Sequence, residues 1–162
     1  MSNVKTLVIY YSFEGSTEFI AKIIAEKLGA DVLKLEPEKE IKSRGFMKFF
    51  WGGRQATMKE KPKLKPLDKN PADYDLIFIG TPVWAWTFSP ALRSFFYQVK
   101  LKDKKIVLFC SFGGGLGKTF INMKKELVGN EIIAEKTFQE PIKKPEEGRK
   151  EVDKWIEDLR IV

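Results

Sequence analysis

Three stretches of this sequence are apolar at consecutive positions rather than at alternate ones: residues 7–11, 76–80 and 106–110. Successive side chains of a strand point to opposite faces, so a strand that is apolar throughout must have both faces covered. Parallel strands joined by helical crossovers meet that condition. Residues 5–11, 75–80 and 105–110 therefore read as buried parallel strands. Shorter runs at 31–36, ended by Pro37, and at 132–138 complete a set of five.

Helices fall between them. Ile20, Ile23, Ile24 and Leu28 share one face, and Gly29 supplies a stop. Ser89 can cap a second helix with Pro90 at its first position and Leu92, Phe95, Phe96 and Val99 turned inward. A third runs to about Leu127. The last opens at Pro145 and presents Val152, Trp155, Ile156 and Leu159. The alternation predicts a doubly wound α/β sheet in a single domain over residues 1–162. One crossover, residues 39–74, shows no clear helix boundaries.

Certain chemistries are excluded outright. The chain has no histidine and one cysteine, Cys110. Ser-His-Asp and Cys-His catalysis, histidine-ligated zinc, an internal disulfide and a CxxC redox pair all fall away. Any reaction here belongs to a cofactor. The N-terminus lacks the basic and apolar regions of a signal peptide, and no apolar run reaches about 20 residues. A cytoplasmic protein is expected.

Open α/β sheets bind ligands beyond the carboxyl ends of their strands. Three loops leave such ends. The first, Ser12-Phe13-Glu14-Gly15-Ser16-Thr17, offers three hydroxyls, a permissive glycine and the free N–H groups of a helix start, a combination that favours phosphate. It equally suits a plain turn in which Ser16 or Thr17 caps the helix. The second, Thr81-Pro82-Val83-Trp84-Ala85-Trp86-Thr87-Phe88, is aromatic where loops are usually polar. Its rings can wall a flat ligand or pack onto the next helix. The third, Ser111-Phe112-Gly113-Gly114-Gly115-Leu116-Gly117-Lys118-Thr119, lets backbone approach a ligand edge. It is not a nucleotide P-loop, because Phe112 stands where that pattern needs glycine. It is not a dinucleotide fingerprint either, because Lys118 replaces the last glycine.

Taken in order, these loops resemble those of the flavodoxins. Ser12-x-Glu14-Gly15-Ser16-Thr17 is similar to the family's hydroxyl-rich phosphate loop for flavin mononucleotide (FMN). Gly80-Thr81-Pro82-Val83-Trp84 with Pro90, Ala91, Leu92 and Phe95 resembles the second flavin loop and its helix. Ser111-Phe112-Gly113-Gly114-Gly115 resembles the third. The resemblance implies strand order 2-1-3-4-5 and one non-covalent FMN. Ser12, Ser16 and Thr17 would hold the phosphate, and residues 81–86 would line one side of the ring. Ser111, Phe112, Gly113 and Gly114 would meet the pyrimidine edge, and Trp84 or Trp86 would stack. Glu14 departs from the pattern, since a carboxylate repels phosphate; it should face solvent or pair with a base. No glycine lies between Thr81 and Phe88, so Ala85 must serve where the family often uses a flexible glycine peptide.

The resemblance implies an electron carrier. The alternative is an NAD(P)H-dependent FMN or quinone reductase; the absence of a nicotinamide fingerprint favours the carrier. Between Lys39 and Lys69 stand ten basic residues and three acidic ones, an excess equal to the chain's whole net charge of +7. That segment reads as a docking surface for an acidic redox partner or as a solvated cover over a sheet edge. Nucleic acid is disfavoured because no binding motif accompanies the charge. A membrane-surface role is disfavoured because the apolar run, residues 46–51, is short. The expected assembly is a monomer or weak dimer.

Overall fold

The computed structural model describes residues 4–39 and 61–161. Five strands form one sheet: β1 (Thr6–Tyr10), β2 (Asp31–Lys34), β3 (Leu76–Pro82), β4 (Lys105–Phe112) and β5 (Glu131–Gln139). Every neighbouring pair is parallel, and the order is β2-β1-β3-β4-β5, as expected. The α-helices among the described residues are α1 (Ser16–Leu28), α2 (Pro90–Gln98), α3 (Thr119–Lys125) and α4 (Pro145–Leu159).

The unbroken apolar runs divide by parity between two faces. Leu7, Ile9, Ile77, Ile79, Ile106 and Leu108 pack against Leu92, Phe95 and Phe96 of α2 and Phe120 and Met123 of α3. Val8, Tyr10, Phe78, Val107 and Phe109 meet Ile20, Ile23 and Ile24 of α1 and Val152, Trp155 and Ile156 of α4. Each such side chain, once fully buried, contributes about 1.5–3 kcal/mol. No helix among the described residues is long and apolar enough to cross a membrane.

The helix ends obey local chemistry. Gly29 ends α1 at φ 62, the left-handed conformation that glycine tolerates. The Ser89 hydroxyl accepts from the Leu92 N–H at 3.3 Å, and Pro90 opens α2.

Three strand ends differ from expectation by two residues. β2 stops at Lys34, two residues early. β3 and β4 run two residues further than the apolar runs suggest, through Pro82 and Phe112. Proline is tolerated in β3 for a geometric reason. Val83 donates to the Ser111 carbonyl of β4, so Pro82, one residue before, faces the other neighbour, β1, whose strand has ended at Tyr10.

At the amino end of the sheet the Tyr74 hydroxyl donates to Asp31 at 2.7 Å. That bond, then burial, pushes the tyrosine up to about 12. An unfolded tyrosine ionises near 10, so this contribution to stability is whole below pH 10 and is lost as pH rises through about 12. Tyr74→Phe should flatten the fall in urea midpoint between pH 10 and 12. An unchanged slope would remove this account of the pair.

Candidate functional site

The carboxyl ends of β1, β3, β4 and β5 surround a crevice of about 350 Å³, within the size range of small-molecule sites. It is lined by Ser12, Phe13, Glu14, Ser16 and Thr17 from the first loop and Pro82, Val83, Trp84 and Ala85 from the second. Ser111, Phe112 and Gly113 come from the third, and Glu140 follows β5. Of the residues singled out in the sequence, Gly15, Thr81, Trp86 and Gly114 do not line it. Glu140 does, and sequence reasoning missed it because only three strand exits were weighed. A fourth exit, Gln139-Glu140-Pro141, was there to be read.

The first loop leaves a helix start open. Gly15 precedes α1 at φ 104, a conformation costly for other residues, and no side chain caps the helix. The Ser12 hydroxyl accepts from the Gly15 N–H at 3.2 Å and tightens the turn. Neither Ser16 nor Thr17 caps the helix, so the positive end of the α1 dipole opens beside the crevice. Glu18, in the first turn, is turned to other work. The Tyr10 hydroxyl donates to it at 2.7 Å, and Lys34 lies 3.1 Å away. The Tyr10 bond and Lys34 together hold its carboxyl below the usual range, while burial and Glu18 push Tyr10 upward.

The second loop is a tight turn. The Trp84 N–H donates to the Thr87 carbonyl at 2.8 Å, and the return bond measures 3.0 Å. Its two central residues, Ala85 and Trp86, have φ of 49 and 67. Positive φ at both central positions is costly without glycine, and such strain clusters at functional sites. Thr81 serves as the foundation of this loop: fully buried, it donates to the Pro82 carbonyl and accepts from the Ser89 N–H.

The two tryptophans part company. Trp84 meets Tyr11 and Phe13 edge-on, with centroids 5.8 and 5.3 Å away, and lines the crevice. Trp86 is 67% exposed. The ring that packs onto the next helix is Phe88, against Phe96.

The third loop's glycines divide the same way. A methyl group at Gly113 or Gly114 would meet nothing within 4 Å, leaving that backbone open to approach. At Gly117, with φ 59, it would lie 2.5 Å from the Trp86 carbonyl oxygen, and at Gly115 it would lie 3.1 Å from the indole. Lys118 donates its N–H to that same carbonyl at 2.8 Å. Two of the four glycines thus make room for Trp86.

Glu140 is held by its own N–H, which donates to the Phe112 carbonyl at 2.9 Å, and has φ 41. Its carboxylate lies 3.7 Å from the Lys143 ammonium. Glu14 is exposed and also lines the crevice. No lysine or arginine lines the crevice among the described residues. Cys110 takes no part: it is buried, and burial pushes its thiol up to about 12.

Half of the ten basic residues counted in the sequence, together with residues 46–51, fall in 40–60 and lie outside the described residues. Of the others, Lys63, Lys65 and Lys69 pair with Glu38, Glu36 and Asp68, and Lys61 sits over the Tyr97 ring.

Comparison with known proteins yields a consistent picture. No curated protein matches this chain. Among solved structures it is similar to a Lactobacillus acidophilus flavoprotein in complex with FMN, with 24% identity, 94% of this chain and 98% of that one covered, and a TM-score of 0.73. A Bacteroides uniformis structure, a candidate flavoprotein, aligns at 21% identity over 96% and 99%, with a TM-score of 0.81. Oxidised flavodoxin 2 from Bacillus cereus aligns at 18% identity over 96% and 97%, with a TM-score of 0.60. At these identities the likeness carries the fold. Family membership comes from the flavodoxin model, which matches residues 5–159, so the chain belongs to the flavodoxin family.

Proposed function

We propose that this chain holds FMN non-covalently in the crevice and carries electrons between protein partners. One observation carries the reading: the uncapped start of α1, the Trp84 ring and the open backbone of Gly113 line or border the same 350 Å³ space. A phosphate, a flat ring and a polar ring edge each find suitable neighbours there.

When bound, FMN supplies reversible electron uptake. The chain's own residues do the rest. Helix N–H groups and the hydroxyls of Ser12, Ser16 and Thr17 hold the phosphate, Trp84 flanks the ring, and Gly113 admits its edge. The lining offers neutral donors and two carboxylates, Glu14 and Glu140, with no cation among the described residues. Additional negative charge on the ligand is disfavoured in such a setting. The exposed Trp86 beside the crevice offers a partner protein an aromatic contact of the kind enriched at binding hot spots. The basic excess of residues 39–69 complements an acidic partner surface.

The purified chain should be yellow and release one equivalent of FMN on heating. Mixed anaerobically with NADPH alone, it should stay yellow over minutes. A colourless protein that takes up no added FMN would remove the cofactor reading. Bleaching within seconds would instead assign the chain to NAD(P)H-dependent reductases.

A further inference from the structure

Ser111 touches all three ligand loops. It belongs to the third, and its carbonyl accepts from the Val83 N–H of the second at 3.0 Å. Its hydroxyl lies 2.8 Å from that of Thr17, in the first. Thr17 and Ser111 are 1% and 4% exposed, and both line the crevice.

Proton counting makes this pair unusual. Two hydroxyls bring two protons, and the bond between them uses one, with either oxygen able to donate. Neither hydroxyl has another hydrogen-bond partner among the described residues. One O–H is therefore left to seek an acceptor, and the crevice is the open side. A buried donor without a partner is costly, so a ligand that accepts its proton gains affinity.

We propose that Thr17 and Ser111 form a hydroxyl relay whose direction is set by the ligand's phosphate. The proposal rests on the FMN reading and deepens it. A phosphate oxygen is a charged acceptor and draws the stronger bond. Thr17, at the start of α1, turns its proton outward to that oxygen and accepts from Ser111. Ser111 then has only lone pairs left for the crevice. A ligand lacking phosphate imposes no direction on the pair and draws nothing from it. No covalent bond changes; only the two O–H bonds rotate. Hydrogen bonds in series polarise one another, so Ser111 strengthens the phosphate grip without touching the phosphate. It is a positioning residue.

Quenching of flavin fluorescence on binding to cofactor-free protein tests this, with FMN and riboflavin as the two probes. Ser111→Ala should weaken FMN binding about fivefold and riboflavin binding less than about twofold. Thr17→Val should weaken FMN binding about 30-fold, and Thr17→Ser should restore the wild-type ratio of the two affinities. In the Thr17→Val background, Ser111→Ala should cost FMN nothing further. Equal weakening of both ligands by Ser111→Ala, or a full additional loss in the double variant, would overturn the relay and leave the FMN site standing. Wild-type protein that quenched neither probe would overturn the FMN site and the relay together.

Discussion

Replacing Gly80 with alanine is expected to lower the unfolding free energy by about 2–3 kcal/mol. Gly80 of β3 pairs in register with Phe109 of β4, and in a parallel ladder such partners show their side chains on the same face. The Phe109 ring occupies the space above Gly80. An alanine methyl would lie 2.1 Å from its Cζ and 2.2 Å from its Cε2. Phe109 is fully buried beside Phe78, Phe138 and Trp155, so the ring has nowhere to retreat. Either the ring leaves its position or the two strands part, and parting them shifts the second and third loops. Phe109→Leu combined with Gly80→Ala should recover at least half of the loss, because the shorter side chain clears the methyl. Urea unfolding of the two variants beside the wild type decides the matter. A single variant within about 0.5 kcal/mol of wild type would contradict this packing.

Ser16→Glu should move stability and ligand binding in opposite directions. Ser16 is the first residue of α1, whose N-terminal N–H groups lack a side-chain cap. A carboxylate there complements the helix dipole, and the cofactor-free protein should gain about 0.3–1 kcal/mol. The same carboxylate competes for the donors that would hold the phosphate and repels it. Two unit charges 4 Å apart interact by about 4 kcal/mol at an effective dielectric of 20. FMN affinity should fall by at least about 100-fold, with riboflavin much less affected. A site that held its ligand elsewhere would show the small gain in stability without the loss of FMN. Unchanged FMN binding would therefore contradict the phosphate assignment.

The fold was largely legible because burial on both faces leaves a plain trace. Residues 7–11, 76–80 and 106–110 could only be central strands, and Gly29, Ser89 and Pro90 marked helix ends by local chemistry. Strand ends were harder to read. Thr81, Pro82 and Ser111 look like loop residues, yet the ladder continues through them because β1 ends early and Pro82 has no partner to fail.

Within the site, residue types were readable and their division of labour was not. The glycines at 113–117 are alike in sequence, but two face open space and two accommodate a tryptophan from another loop. The Thr17–Ser111 bond joins residues 94 apart, a contact that no local pattern announces. Glu140 differs: it follows a strand exit visible in the sequence, and the pairing of β4 with β5 sets it beside Phe112. Ala85 stands where the family often uses glycine, and it holds φ 49. Its neighbour Trp86, at φ 67, shares that strain and gave no warning of it.

An FMN titration of isotope-labelled, cofactor-free protein, followed by the backbone amide resonances, probes the crevice itself. The amides of Gly15, Ser16, Thr17, Ala85 and Gly113 should shift together and saturate at one FMN per chain, while that of Gly129, at the far end of β5, stays still. Binding that left the residue 15–17 amides unmoved, or saturation without any response from Gly113, would contradict convergence of the strand exits on one flavin.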